Sequence, residues 1–256
     1  MEELNVKGLI VKESDFGEND KLLTLITEDR GKLLVTVKGG RSLRNKFVSV
    51  AETFSYGTFG LRKTSKYFHL FDAELIDDFY PIREDLVKMS LGYYVCDIAD
   101  FLALEGVADE ALLKLTLNAL YALAYKDVPA RIVKAAYEFK AAVIAGFMPD
   151  LESCSVCGEN TDDESFVNAS SGALICSDCM TKPGSVTGIS ASSLILPLNK
   201  GALDALRYLE ECPIQRFLSF RLDGNDSLFT SFCEKYLVCH LEKELYTLTF
   251  LKTIMN

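Results

Sequence analysis

The sequence predicts a multidomain α+β protein in which a small β-barrel is followed by a helical domain that contains an inserted four-cysteine module. Three observations lead to this fold class. The first 80 residues consist of short β-branched and aromatic stretches separated by turn residues, a pattern typical of strands. From Pro81 onward, apolar residues recur at helical spacing. Two CxxC pairs interrupt the helical part. We expect a barrel domain at residues 1–80, a helical domain at 81–148 and 185–256, and a cysteine module at 149–184.

Five strand candidates account for the first 80 residues. In the third of them Leu33, Val35 and Val37 share one face, and the opposite face is partly basic, as expected for a half-buried strand. A closed or partly closed barrel is favoured because closure removes exposed strand edges. The predicted strands are Leu4–Lys12, Lys21–Thr27, Lys32–Lys38, Val50–Phe59 and Lys66–Asp77.

The helical part begins after Pro81. Its first helix is apolar at nearly every helical phase, which predicts a hub that is covered on several sides. Asp109 is a suitable N-cap for the second helix, and Pro129 opens the third, which Gly146 closes. The predicted helices are Arg83–Leu104, one beginning after Asp109, one beginning at Pro129, Lys200–Glu211, and a long final helix from Asp226 to about Leu251.

The cysteine module predicts a metal site. Its pairs, Cys154 with Cys157 and Cys176 with Cys179, are separated by 18 residues. Each CxxC pair brings two thiolates together from one tight turn, and two turns complete a tetrahedral Zn²⁺ site. The residues between the pairs are rich in Asp, Ser, Asn and Gly, so a metal would supply stability that a core cannot. Four thiolates leave no open position, which indicates a structural Zn²⁺. The alternatives are a dithiol redox pair and four incidental cysteines.

Composition excludes several classes of protein. Hydrophobic residues make up 49% of the 256 residues, yet no apolar run is long enough to span a membrane. The first residues carry acidic side chains and lack the basic start of a signal peptide. We therefore expect a cytoplasmic protein whose 8 cysteines stay reduced.

Charge is distributed unevenly along the chain. The net charge of −10 argues against a nucleic-acid partner, but residues 30–66 contain nine basic side chains and a single acid, Glu52. A phosphate backbone responds to local potential, since the Debye length is about 8 Å at physiological salt. This segment is therefore either a solvated lysine-rich surface or a binding site for phosphates.

Carboxylates are plentiful, but none forms an acid and base pair that can be recognised in the sequence. His69 and His240 are the only histidines, and both lie in patterns typical of structural residues. The sequence has no GxxxxGK[ST] phosphate loop and no HxE with PCxxC deaminase signature. A binding protein that is not an enzyme is favoured over a zinc-containing nucleic-acid-processing enzyme.

Three stretches resemble one known family. Phe16–Asp20 followed by Leu22, Leu23, Thr27 and Gly31 matches an opening hairpin, and Lys38–Phe47 matches a basic loop. Gly146–Leu151, running into the first cysteine pair, is the most specific. In this order they resemble the RecO family of bacterial recombination mediators over essentially the full length.

The resemblance implies an N-terminal OB-fold, a helical domain and an embedded zinc module. It also implies binding of single- and double-stranded DNA, annealing of complementary strands, and cooperation with RecR in loading the RecA recombinase onto DNA coated by single-strand-binding protein. The cell compartment implied is the cytoplasm, in association with the nucleoid. A purely protein-binding scaffold is the competing interpretation.

Two basic segments are the candidates for DNA contact. We expect them to meet on one side of the barrel and to bind phosphates without reading sequence. Tyr56, Phe59 and Tyr67 are candidates for base stacking. For the C-terminal tail of single-strand-binding protein, Arg131, Lys134, Arg207 and Arg216 are candidates by charge alone. The predicted DNA-binding residues are Lys38, Arg41, Arg44 and Lys46 on a loop, and Arg62, Lys63 and Lys66 on the turn before the fifth strand.

Overall fold

The computed structural model describes residues 3–64, 66–161, 164–182, 193–222 and 226–255. The chain forms two compact units, of which the first contains the residues up to Ala130 and those from Leu245 onward, and the second contains Arg131–Glu244. The first unit thus combines the barrel with the helices that directly follow it and with the last helix of the chain. The structure groups the residues into two units, whereas the sequence predicts three domains. The three-domain division stays a prediction. The predicted boundary at Gly184 lies outside the described residues.

The N-terminal strands form the predicted barrel. Five strands of the described chain close in the order β1-β2-β3-β5-β4. All neighbours pair antiparallel except β3 and β5, which pair in parallel through Val35 with Phe68 and Thr36 with His69. Alternate side chains such as Ile10, Leu25 and Leu61 fill the interior, as the period of two requires. The strands are β1 Glu3–Phe16, β2 Asp20–Thr27, β3 Gly31–Val37, β4 Tyr56–Lys63 and β5 Phe68–Asp77.

The predicted fourth strand was placed too early. Residues 38–55 form successive turns, and β4 begins only at Tyr56. The buried side chains of this segment, Phe47, Ala51 and Phe54, are spaced as on a helical turn, and the Ala51 N–H donates to the Phe47 carbonyl at 2.8 Å. The apolar residues of the segment are buried by tertiary packing rather than by strand pairing: Phe47 and Ala51 pack on the barrel core and Phe54 packs on Tyr93.

Helices α1, α2 and α7 complete the first unit. The carboxylates of Asp85 and Asp109 cap α1 and α2 by accepting from the backbone N–H groups of Lys88 and Leu112. Gly31 takes a φ of +66°, and a β-carbon there would lie 2.3 Å from the Val107 carbonyl oxygen. The β2–β3 turn therefore packs directly against the chain that joins α1 to α2. The helices are α1 Leu86–Leu102, α2 Glu110–Tyr125 and α7 Tyr246–Met255.

The second unit packs helices beside a small antiparallel sheet of order β7-β6-β8. Phe139, Phe232 and Tyr236 form an aromatic core between α3 and α6. No helix in the described ranges is long and apolar enough to cross a membrane. The elements are α3 Ala130–Ile144, β6 Ser165–Asn168, β7 Leu174–Cys176, α4 Ser177–Thr181, β8 Ile195–Leu198, α5 Lys200–Glu211 and α6 Ser227–Leu241.

The predicted final helix is two helices. Glu242 adopts the left-handed conformation, with a φ of 48°, and ends α6. Leu241 and Leu245 are buried on either side of the break, so the apolar spacing continues across it. Periodicity alone therefore gave no sign that the chain leaves one unit and enters the other here.

The Lys140 side chain, from α3, caps the C-terminal end of α5. Its side chain is 6% exposed, and its ammonium group donates to the carbonyl oxygens of Leu209, Glu210 and Cys212, which the helix end leaves without intrahelical partners. We expect Lys140→Met to destabilise the second unit by about 3 kcal/mol, because buried carbonyls would lose a charged donor. Urea denaturation monitored by circular dichroism measures this. Lys235→Met, at an exposed lysine, is the control. Equal midpoints for the two variants would contradict the prediction.

Candidate metal centre and nucleic-acid interface

The four predicted cysteines converge on one point. Cys154 and Cys157 lie on a tight turn that the Gly158 N–H closes on the Cys154 carbonyl at 2.8 Å. Cys176 ends β7, and Cys179 lies in α4. All four sulfur atoms lie within 4.8 Å of one another, and those of Cys157 and Cys176 are 3.9 Å apart.

This arrangement fits a tetrahedral thiolate site. Zinc–sulfur bonds of about 2.3 Å place neighbouring sulfurs of a tetrahedron about 3.8 Å apart. Backbone N–H groups support the sulfurs: that of Cys176 points to the Cys154 sulfur and that of Cys179 to the Cys176 sulfur, both at 3.4 Å. The cluster could hold one metal ion in a closed, four-coordinate site.

Electrostatics within the cluster favour a bound cation. Burial opposes ionisation of Cys154, but the backbone N–H groups of Cys176, Cys157 and Val156 outweigh it and lower the pKa of the thiol to about 6. Burial and the neighbouring thiols raise the pKa of Cys179 to about 12. Four thiolates would repel one another at this distance, so a cation is needed to keep all of them ionised.

The remaining cysteines lie outside the cluster. Cys96, Cys212 and Cys233 are buried, and Cys239 is half-buried on α6. Burial raises the pKa of the Cys233 thiol well above its ordinary value, which leaves it unreactive. The histidines are also held structurally: His69 bonds the Thr36 hydroxyl and His240 stacks on Phe147 at 4.4 Å.

The first predicted basic segment, Lys38–Lys46, forms an exposed loop after β3, here called the basic loop. Lys38 and Arg44 are exposed, and no carboxylate of the described chain lies within ion-pair distance of either. Arg41 contacts the Asp15 carboxylate at 3.4 Å. Exposed ion pairs of this kind are weak, so a phosphate can compete for the guanidinium.

The β1–β2 turn and an asparagine hold the basic loop in place. The Asp20 carboxylate accepts from the Gly39 N–H at 2.8 Å, and the Asn19 carbonyl accepts from the Arg41 N–H at 3.1 Å. The Asn45 amide donates to the Lys38 carbonyl at 2.8 Å and joins the two ends of the loop. Sequence reasoning missed Asp20 and Asn45 as loop anchors, although both lie in the motifs that carried the family resemblance.

The second basic segment adjoins the basic loop. Arg62 and Lys63 lie in β4, not on the predicted turn, because that strand extends to Lys63; Lys66 is on the turn. The Lys46 ammonium donates to the Phe71 carbonyl at 3.0 Å, and the Arg62 guanidinium lies over the Phe71 ring.

Phe71 therefore brings Lys46 of the first basic segment and Arg62 of the second to one side of the barrel. Arg62 also pairs with Glu3 at 2.7 Å. Of the predicted stacking residues, Phe59 belongs to the barrel core, with 1% exposure, and is unavailable to bases. Tyr67 is half-buried against the ring edge of Phe16, and Tyr56 donates to Glu28.

Two family profiles cover almost the whole chain. The profile described as "Recombination protein O N terminal" matches residues 1–79, and "Recombination protein O C terminal" matches residues 83–248. The chain belongs to the RecO family.

Curated relatives carry the name DNA repair protein RecO. The chain is similar to that of Acetivibrio thermocellus, at 28% identity over 257 residues that cover 99% of this chain and 98% of the relative. It is 28% identical to that of Symbiobacterium thermophilum, with 98% of both chains covered, and 26% identical to that of Clostridium acetobutylicum, with 87% and 85% covered. This RecO-family chain therefore spans its relatives nearly end to end and belongs among proteins of DNA repair.

The four basic side chains predicted to bind the C-terminal tail of single-strand-binding protein differ in the contacts that they already make within the chain. In this RecO-family chain Arg131 pairs with Asp226 at 2.7 Å. Lys134 is buried and pairs with Glu138 and Glu234.

The other two candidates for binding this tail, Arg207 and Arg216, also differ in their contacts within the chain. Arg207 donates to the carbonyls of Leu151 and Thr161 and so supports the cysteine module. Arg216 is exposed. Arg131 is exposed too but is paired with Asp226, whereas no carboxylate in the described ranges lies within ion-pair distance of Arg216.

Asp20→Ala tests the loop anchor. Without the carboxylate the Gly39 N–H loses its acceptor, and the basic loop gains conformations that must be ordered again on binding. We expect DNA affinity to fall about threefold while the salt dependence of binding is unchanged, since no cation is removed. Fluorescence anisotropy across a salt series measures both quantities. Asp29→Ala, on the β2–β3 turn at the opposite end of β2, is the control. A changed salt slope would contradict a purely anchoring role.

Proposed function

We propose that this protein is a non-enzymatic recombination mediator that binds single- and double-stranded DNA without reading sequence. It anneals complementary strands and, with RecR, helps load the RecA recombinase onto single-stranded DNA coated by single-strand-binding protein. The observation that carries the proposal is the meeting of two basic segments at Phe71 on a RecO-family barrel. We expect the protein to act in the cytoplasm, at the nucleoid.

DNA binding in this proposal rests on charge. Lys38 and Arg44 offer cations that face solvent, and Arg41, Lys46 and Arg62 add cations whose protein contacts lie at the surface. Such a face neutralises phosphates of any sequence. Lys63 and Lys66, both exposed, extend it.

Annealing needs no catalytic group. Two complementary strands repel through their phosphates, and a cationic face that contacts both backbones lowers this repulsion while leaving base edges free to pair. The acidic remainder of the chain does not prevent this, because exposed charges beyond about 8 Å are largely screened at physiological salt.

The cysteine cluster is proposed to bind one structural Zn²⁺. Four thiolates in a closed tetrahedral arrangement match the preference of zinc and leave no position for a reactive water. Bound zinc would fix the turns that carry the cysteines. Its contribution is to folding, not to DNA chemistry.

Protein partners are proposed to dock on the helical part. The acidic C-terminal tail of single-strand-binding protein ends in a carboxylate, for which we propose Arg216, because this exposed side chain has no acidic partner within the described ranges. RecR completes the assembly in this proposal.

A strand-annealing assay tests the proposed function. Two complementary oligonucleotides, one carrying a fluorophore and the other a quencher, are mixed with and without single-strand-binding protein. We expect the protein to accelerate annealing in both conditions without metal-dependent strand cleavage. Cleavage would indicate an enzyme. Absence of both annealing and salt-dependent DNA binding would indicate a protein-binding scaffold.

A further inference from the structure

Leu43 lies at the tip of the basic loop with 89% of its surface exposed. No other large apolar side chain in the described ranges is as exposed. An apolar side chain in water makes no contribution to folding of the chain that holds it, because no apolar surface is buried. The exposure of Leu43 therefore leaves its whole side chain available to a ligand.

The loop holds Leu43 in a defined position. The Ser42 N–H donates to the Gly39 carbonyl at 3.0 Å, the Asn45 N–H donates to the Ser42 carbonyl at 2.9 Å, and the Asn45 side chain ties the loop ends together. Leu43 thus projects from consecutive hydrogen-bonded turns. Little further ordering of the backbone is needed when the tip meets a ligand.

The surroundings of Leu43 indicate which ligand this is. Arg41 and Arg44 flank it, and Lys38 and Lys46 lie at the two ends of the loop. The centres of protein interfaces are depleted in charge and usually present several apolar side chains together. A single apolar tip among four cations instead matches the side chains that architectural proteins insert between DNA bases while neighbouring cations hold the phosphates.

We propose that Leu43 is a wedge that enters a stacked base step of duplex DNA while the flanking cations contact the adjacent phosphates. This inference rests on the proposed DNA binding and adds a residue and a mode of contact to it. The wedge reads no base edge, so the sequence affects binding only through the cost of unstacking a base step.

The wedge gives the protein a preference for deformable DNA. Pyrimidine–purine steps such as TA unstack at lower cost than other steps. We therefore expect the wild-type protein to favour a duplex with central TA steps over one with an A-tract of equal length and charge, and to unstack bases at the contact.

The experiment compares wild type, Leu43→Ala and Leu43→Met. The control is Leu104→Ala, which removes a 62% exposed leucine from the connection after α1. Duplexes carry 2-aminopurine at a TA step, and affinity is measured by anisotropy across a salt series. For Leu43→Ala we expect about tenfold weaker duplex binding, because buried apolar surface is lost, with an unchanged salt slope. The 2-aminopurine fluorescence increase and the TA preference should disappear. Leu43→Met should retain both.

The outcomes separate the wedge from the function on which it rests. Salt-dependent DNA binding without a 2-aminopurine change, or equal affinity of wild type and Leu43→Ala, overturns the wedge and leaves the proposed function standing. Loss of RecR binding by Leu43→Ala with normal DNA binding assigns the tip to a protein interface and also overturns it. Absence of salt-dependent DNA binding by the wild type overturns the proposed function itself.

Discussion

Replacing Cys176 with serine is expected to release the proposed Zn²⁺ and to destabilise the second unit by several kcal/mol. The module has little else to hold it together. Its apolar cluster consists of Cys154, Ile175 and Cys179 with a few half-buried neighbours, and its strands are three or four residues long. A structural Zn²⁺ site can contribute about 10 kcal/mol or more to the folding of such a module.

Cys176 is a suitable position for this test because its sulfur lies within the predicted metal site. Its sulfur lies 3.9 Å from that of Cys157 and accepts the Cys179 N–H, so serine removes a metal ligand while keeping an acceptor for the N–H at the start of α4. Metal content by inductively coupled plasma mass spectrometry should fall from one zinc per chain to none. The melting temperature of the second unit should fall with it. Lower pH should also weaken zinc retention, because protons compete with the metal for all four thiolates.

Cys239→Ser is the matched control. Cys239 is half-buried in the same unit and lies outside the metal cluster, so the same chemical change should leave the zinc content at one. A wild-type protein that contains no metal and melts at the same temperature before and after chelation would refute the structural site.

Local patterns were sufficient to predict the barrel and the metal cluster. A strand's period of two and the spacing of a CxxC pair are properties of a few neighbouring residues, and each restricts the geometry directly. Strand order required more, because the parallel pairing of Val35 with Phe68 joins residues that are far apart in sequence.

The errors came from apolar residues whose burial has a tertiary cause. Ala51 is buried against the barrel core and Phe54 against Tyr93 of α1, so Val50–Phe59 was interpreted as a strand although residues 50–55 form turns. Leu241 and Leu245 continue an apolar stripe through a break at Glu242, where the chain passes between units. Periodicity reports that a side chain is buried but not which element buries it.

Counting charges along the sequence identified the basic segments but could not show which of their side chains have an acidic partner. The sequence could not show that Arg41 faces Asp15 or that Arg62 faces Glu3, because these carboxylates come from β1. The structure separates cations that already have an acidic partner from Lys38 and Arg44, which have none within the described ranges. The latter two are the sharper test of DNA binding.

Lys38→Glu combined with Arg44→Glu is expected to weaken duplex binding on the order of 100-fold at low salt. Each lost phosphate contact reduces the slope of log affinity against log salt concentration by about 0.9, so the slope should become shallower by about 1.8. Folding should be unaffected, because neither side chain has an acidic partner in the described chain to lose. Anisotropy titrations between low and physiological salt, with circular dichroism of the same samples, measure these effects.

Lys114→Glu combined with Lys126→Glu makes the same change in net charge on α2 of the same unit and serves as the control. If long-range charge alone drew DNA to the protein, both double variants would lose affinity equally. If the basic loop makes the contacts, only Lys38→Glu with Arg44→Glu will flatten the salt dependence, because only direct contact with a phosphate releases its condensed counterions. An unchanged slope for the loop variant would remove the basic loop from the DNA interface, and with it the position from which Leu43 could reach the bases.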